Sequence, residues 1–439
     1  MPNRQEPENR PLKVGLCGLG TVGQGVVNLL HRNAEQIERR AGRAIQLHRV
    51  ASRTPRDGVP LHGAVFDTDV FDVLSDSELD VVVELIGGES TAADLCFRAL
   101  EQGFHVVTAN KALIATRGNE LMRLAAAMQR SIRFEAAVAG GLPILKTITQ
   151  GLSADRISWI AGIINGTSNY ILSAMEHQNR EFDDVLTEAQ QLGYAEADPS
   201  FDIGGTDAAH KLTVLAALAF NIEYQFDAVY TEGIASITPE DIEYAKQLGY
   251  RIKHLGIAHC SDRGIDLRVH PTLIPADRLL ASVDGVMNAV SLYSDALGSS
   301  MYYGAGAGAL PTASSVIADL VDIARDPRPV PYTSPPASKM LPMHEVESAY
   351  YLKIPAIDQP GVLARVAEIL SQEGISIESV IQREQAVQLQ QETAWVPVII
   401  LTQRVIEKKM NTAQSTLENL AEVVGPITRL RVETLDGHA

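Results

Sequence analysis

The chain has 439 residues, 46% hydrophobic and 21% charged, with a formal net charge of −17. That length allows two or three domains with cores of their own, and the acidic balance excludes general nucleic-acid binding, which needs clustered Lys and Arg against phosphate. Cys17, Cys96 and Cys260 lie far apart in no metal-binding spacing, and no apolar run is long enough to cross a bilayer, so the expected setting is cytoplasmic, away from membrane.

After a polar N-terminal stretch expected to fray, the first segment alternates strand-like runs with helical patterns: LKVGLCG (12–18), AIQLHRVAS (44–52), DVVVELIG (80–87), HVVTAN (105–110) and IRFEAAV (132–138). Such alternation predicts a parallel, doubly wound, Rossmann-like sheet over residues 11–142. In TVGQGVVNLLHRNAEQIERR the apolar residues Val22, Val26, Leu29, Leu30 and Ile37 recur at helical spacing. From Pro143 to residue 325, WIAGII, RIKHLGIAHC and GIDLRVHPTLI predict an α+β domain with a mixed sheet. A stretch with six prolines between Pro327 and Pro342 then reads as a semi-rigid linker, taken as 326–347. Residues 348–434 follow as βαββαβ, the ferredoxin-like order, and so read as a separable C-terminal module. No internal repeat is present.

Gly18-Leu19-Gly20-Thr21-Val22-Gly23 follows the first strand and opens a helix. Its glycines suit a tight turn, close backbone approach to a pyrophosphate, and close helix–sheet packing, while the helix N-terminus favours phosphate. The second strand ends Val50-Ala51-Ser52-Arg53, with Arg56 nearby and no acid to hold a ribose 2′-hydroxyl, so NADP is favoured and NAD remains possible. A solvated surface arginine is the plain alternative for Arg53.

GYAEADPSFDIGGTDAAHK (193–211) places Glu196, Asp198, Asp202 and Asp207 near a single lysine, Lys211. Asp207 and Lys211 are four residues apart at the start of a helical run, so they share a face, and Gly204-Gly205 frees the turn before it. A capping acid and an i,i+4 ion pair on a surface helix would explain this without function. However, the helix continues as LTVLAALAF, almost wholly apolar, and a lysine at the mouth of a buried helix is costly without carboxylates around it. Beside a nicotinamide such a lysine can protonate a carbonyl oxygen, and the remaining acids suit a substrate bearing an ammonium group.

These pieces, GLGTVG, Thr108-Ala109-Asn110-Lys111, FEAAVAGGLPI, GIINGTSNYIL, LGYAEADPSFDIGGTDAAHKL and YYGAGAGALPTASSVIAD, resemble homoserine dehydrogenase in order and span about residues 12–325. The resemblance implies reduction of L-aspartate 4-semialdehyde to L-homoserine with NAD(P)H, on the route to threonine, methionine and isoleucine. It further implies that Lys211 is the proton donor with Asp207 its acidic partner, that Glu196, Asp202 and Thr167 lie on the substrate side, and that Lys111 is near nicotinamide and substrate. Sequence does not say which lysine dominates. Gly87 and Gly308 match cofactor contacts, and Glu135, Val138, Gly140 and Leu142 match the family's monovalent-cation (sodium or potassium) loop. Without the resemblance that loop would read as a flexible strand-to-helix turn.

The C-terminal module resembles an ACT domain, with turns at Asp358-Gln359-Pro360-Gly361 and Gly374-Ile375-Ser376-Ile377. It implies amino-acid binding, with threonine as the candidate, and assembly as a homodimer or homotetramer; a purely architectural role is the alternative, since many such domains carry asparagine where Ser376 stands. Two other functions stay open at this point: an aspartate-semialdehyde dehydrogenase-like enzyme, which would need an activated cysteine, and a non-catalytic amino-acid sensor.

Overall fold

The computed structural model describes residues 10–56, 58–328, 335, 337–382, 387–388 and 394–436. Residues 1–9 of the N-terminal stretch, 329–334 and 336 of the proline-rich linker, and 383–384 at the end of ISIESVIQRE lie outside the described residues. Two compact units interleave along the chain: one comprises 1–157, 210–227 and 287–337, the other 158–209, 228–286 and 338–439.

In the first unit the order is β1 (Leu12–Cys17), α1 (Thr21–Arg32), α2 (Ala34–Ala41), β2 (Ile45–Ala51), β3 (Val65–Asp67), β4 (Val81–Glu84), α3 (Ser90–Glu101), β5 (His105–Thr108), α4 (Lys111–Ala127), β6 (Ile132–Arg133) and the single turn α5 (Ile144–Lys146). The six strands are parallel in the order β3-β2-β1-β4-β5-β6, a doubly wound sheet. β4 and β5 are buried at every position, as strands covered on both faces must be. The helical stretch beginning at Thr21 is broken at Asn33 (φ −112°, ψ 21°), where the backbone N–H turns back to Leu29 and His31. The strand expected over 132–138 ends at Arg133 and passes into a 3-10 turn over Glu135–Ala137.

The second unit opens with β7 (Ile157–Ile163), α6 (Gly166–Gln178), α7 (Phe182–Gln191) and α8 (Ser200–Ile203). Helix α9 (Thr206–Phe220) starts in this unit and ends in the first, and β8 (Tyr230–Thr231), α10 (Pro239–Gln247), β9 (Tyr250–Ser261) and β10 (Gly264–Pro275) follow in the second. The chain then returns to the first unit as the hairpin β11 (Met287–Ser294) and β12 (Gly298–Ala305) and as α11 (Ala309–Arg325). Val316, Ile317, Leu320 and Ile323 of α11 join one core with Val26, Leu29 and Leu30 of α1. The two helices approach closely because Gly25 lacks a side chain: a Cβ there would stand 2.5 Å from the Ala309 carbonyl oxygen.

The second unit ends with β13 (Glu347–Ile357), α12 (Val362–Gln372), β14 (Ile377–Gln382), β15 (Val387–Gln388), β16 (Ala394–Thr402), β17 (Val405–Ile406), α13 (Glu407–Glu418) and β18 (Thr428–Val432). Neighbours run β18-β13-β16-β14 and all pair antiparallel, the sheet of a βαββαβ unit. The module is not separate, however: β18 also pairs in parallel with β10, matching Thr272 with Arg431 and Leu273 with Val432. Tyr351, Ile399, Leu401, Leu430 and Val432 share a core with Ile234, Ile237, Ile252 and Leu273. The proline-rich stretch falls where the chain passes from the first unit to the second, at 337–338.

Candidate active site

The glycine loop has the geometry its spacing predicts. Gly18 takes φ +109°, and a Cβ on it would meet the Leu85 carbonyl oxygen at 2.5 Å; on Gly23 it would meet the Gly18 carbonyl oxygen at 2.0 Å. Gly20, the residue preceding α1, has nothing within 4 Å of that position, so its backbone is open to a ligand. Leu19 is buried, whereas Thr21 is exposed and Val22 partly buried at the helix start. The amide of Gly18 donates to the carbonyl of Ala51 at 2.9 Å, which ties the loop to the end of β2. Just beyond, Arg53 and Arg56 are exposed, while Arg49 inside the strand is held by Asp67 at 2.8 and 2.6 Å.

A residue that sequence reading passed over organises the same sheet edge. Glu84, fully buried at the end of β4, accepts from the amides of Ile86 (2.8 Å) and Gly87 (3.0 Å) and from the Thr108 hydroxyl (2.5 Å). Burial pushes its carboxyl upward, against those hydrogen bonds. The Thr108 oxygen accepts from the Asn110 amide, and the Asn110 side chain donates to the Gly88 carbonyl and caps α4 by accepting from Leu113 N at 3.1 Å. Gly87 (φ +68°) and Lys111, the first residue of α4, are thus placed by one small polar network. Gly308 (φ +123°) immediately precedes α11, next to the Ala309 carbonyl that abuts α1.

The acids divide by role. Asp198 is local: hydrogen bonds from the Ser200 side chain and then from the Ser200 amide, at the start of α8, hold its carboxylate below its ordinary range. Asp202 and Asp207 are brought together by Asn165, buried just before α6, whose amide donates at 2.8 Å to each carboxylate while its oxygen caps the helix at Ser168 N. Of the Gly204-Gly205 pair only Gly205 needs to be glycine for its dihedral, at φ +92°. Asp207 is buried, and Lys211, partly buried, stands one turn along α9. Glu196 is exposed on the segment entering α8, and Thr167 donates its hydroxyl to the Tyr194 carbonyl in that segment at 2.6 Å. Asn165 was missed because its cap position reads as a folding signal.

In FEAAVAGGLPI, Ala139 adopts φ +47° and Val138 and Leu142 are buried. Buried Glu135 accepts from Leu145 N and Lys146 N at 2.9 Å each, and its own amide donates to Asp319 at 2.8 Å. Burial and Asp319 push the Glu135 carboxyl up to about 7, and burial pushes Asp319 up to about 6. The Lys146 ammonium offsets part of this acid, at 3.3 Å from Asp319 and 2.9 Å from Asp322, and the backbone oxygens of the loop are of the kind a hard cation prefers. The Gly140 carbonyl already accepts from Ser315 at 2.6 Å and keeps one lone pair.

The thiols argue against thioester chemistry. Cys17 and Cys96 are buried, and all three thiols are raised by desolvation, the reverse of an activated nucleophile. Among the described residues no helix is long and apolar enough to cross a membrane.

A doubly wound sheet with a complete glycine loop at its first βα turn, joined to a lysine-bearing helix that begins in carboxylates, defines a nicotinamide-dependent dehydrogenase. The homoserine dehydrogenase family matches residues 143–321, the homoserine dehydrogenase NAD binding domain matches 18–135, and the ACT domain matches 350–400. A homoserine dehydrogenase of Pseudomonas aeruginosa is 56% identical, covering 97% of this chain and 100% of that protein. The crystal structure of a homoserine dehydrogenase from Thiobacillus denitrificans superposes with a TM-score of 0.92 at 52% identity, covering 98% of this chain and 99% of that one. A hyperthermophilic archaeal homoserine dehydrogenase in complex with NADPH gives 0.60 at 25% identity, covering 71% and 97%. The chain belongs to the homoserine dehydrogenase family, with its NAD-binding, catalytic and C-terminal ACT domains. It is an oxidoreductase, and its reaction is the reduction of L-aspartate 4-semialdehyde to L-homoserine.

Proposed function

We propose that the enzyme uses NADP in preference to NAD, with Lys211 as general acid. The pyrophosphate rests on Gly18, Leu19, Gly20, Thr21, Val22 and Gly23, Arg53 takes the 2′-phosphate, and Gly87, Lys111 and Gly308 complete the cofactor contacts. When bound, the dinucleotide supplies the hydride. Lys211 meets the negative charge that develops on the aldehyde oxygen, where stabilisation raises the rate rather than the affinity. Asp207, one turn earlier, is the acidic partner that aligns the ammonium, and Lys111 assists the proton step. Glu196 holds the substrate amine, and Asp202 and Thr167 bind on the substrate side.

Glu135, Val138, Gly140 and Leu142 take a sodium or potassium ion. Residues 11–142 act as the nucleotide domain, 143–325 as the catalytic and dimerisation domain, 326–347 as the linker and 348–434 as the regulatory module. That module binds an amino acid, threonine being the candidate, in a cytoplasmic homodimer or homotetramer serving threonine, methionine and isoleucine synthesis.

The observation that carries the lysine assignment is the continuity of α9: a buried carboxylate bridged to Asp202 at its start and an ammonium one turn on. Oxidation of L-homoserine should proceed faster with NADP than with NAD. Lys211→Met should lower kcat by about 100- to 10,000-fold with NADPH binding retained. Near-normal turnover in the purified variant would remove Lys211 from the mechanism.

A further inference from the structure

We infer that Arg431, on the last strand of the C-terminal module, is a positioning residue for Asp202 and Asp207, acting through the segment 230–234. The inference rests on the reading of those acids as the substrate side of the site.

Arg431 is 1% exposed, so its charge must be met inside the protein. It donates to Glu407 at 2.6 and 3.1 Å and to Glu232 at 2.7 Å. Its guanidinium also lies 5.0 Å from the centre of the Tyr230 ring, and the Tyr230 hydroxyl donates to the same Glu232 oxygen at 3.0 Å. One arm of the buried cation therefore reaches out of the module to grip the segment around β8.

That segment is wedged backbone to backbone against the turn that carries the acids. The Glu232 amide donates to Val269 O at 2.8 Å and the Ile234 amide to Ile203 O at 3.0 Å. A Cβ on Gly233 would stand 2.6 Å from Ile203 O, and one on Gly205 would stand 2.8 Å from Thr231 Cγ2. His254 Nε2 lies 3.0 Å from Glu232 O, and its Cε1 would lie 3.3 Å from the Gly205 Cβ. Ile203 and Gly205 stand directly between Asp202 and Asp207, which Asn165 ties to each other. Where main chains meet at glycine no side chain can yield, and a shift at one is passed to the other. Arg431 thus sets where the two carboxylates stand.

The test compares Glu232→Ala, which removes the grip, with Glu232→Gln, which keeps an acceptor for Arg431. In both variants Arg431 keeps its two bonds to Glu407, so its buried charge stays paired. We expect Glu232→Ala to raise KM for L-homoserine about 10-fold, within the up to 10²-fold cost of misplacing a binding group. Glu232→Gln should restore most of the loss, and KM for NADP should stay constant in both. Arg431→Lys should resemble Glu232→Ala, and if it does not fold the Glu232 pair still decides. Asp202→Asn is the control. If it raises KM for homoserine while Glu232→Ala does not, or if Glu232→Ala moves both KM values equally, the positioning role is wrong and the acids keep theirs. If Asp202→Asn has no effect on KM for homoserine, the reading of the acids falls and this inference with it.

Discussion

In the proposed function a single exposed side chain, Arg53, carries the preference for NADP. The residues before it, Val50, Ala51 and Ser52, offer no carboxylate, and Arg49 is already held by Asp67. Arg53→Ala should therefore weaken NADPH by about 10-fold or more, the worth of one charge-assisted contact, and leave NADH nearly unchanged. Paired titrations of the two cofactors check this, and equal losses would place the 2′-phosphate elsewhere. The glycine loop was legible because Gly18 and Gly23 answer steric demands that no other residue meets. Glu84 and Asn165 were not, because each makes its contacts across the fold: Glu84 with Thr108 and Asn165 with Asp202 and Asp207, 24, 37 and 42 residues away. A buried Glu closing an all-valine strand was the signal available for the first.

Periodicity found most of the regular segments but not their interruptions. It ran α1 and α2 together, because the apolar face continues through Ile37 while Asn33 turns the backbone. It missed β3, too short for a period of two to show. In β9 the buried face carries a histidine, and there the consequence can be measured. His254 is 4% exposed, and desolvation lowers it to about 4, although the Glu232 carbonyl and Asp207 pull the other way. The unfolded chain takes the proton near pH 6.5 and the folded one only near pH 4, so this group's contribution is complete above 6.5 and is lost as pH falls toward 4. The slope is about 1.4 kcal/mol per pH unit. Glu135 and Asp319, raised to about 7 and 6, act in the opposite sense over part of that range. The clean measurement is therefore the difference between wild type and His254→Gln, in which they cancel. Urea unfolding should show the wild-type advantage shrinking by that slope between pH 6.5 and 4; a constant difference would mean that His254 is protonated in the native state.

A stretch with six prolines suggested that the C-terminal module could be cut away with the chemistry left intact, and the packing argues otherwise. Arg268 of β10, fully buried, has Glu433 at 2.8 Å beyond the cut and Asp266 at 3.2 Å before it. Arg268 would keep Asp266 but lose Glu433, and losing a partner at a buried cation is destabilising. Removing residues 343–439 also opens the β10 edge that β18 covers and exposes Ile252, Leu273 and their neighbours, at roughly 1.5–3 kcal/mol for each large side chain uncovered. Together these reach the 5–15 kcal/mol that holds a typical domain folded. A chain ending at Pro342 should accordingly express as aggregate or lose homoserine oxidation altogether, whereas Ser376→Asn, a change at a turn of the module, should leave turnover intact and alter only the response to threonine. Soluble yield and turnover of the two proteins, measured side by side, separate the possibilities: a truncated enzyme that stays soluble and active would show that β10 tolerates a bare edge and that the module serves regulation alone.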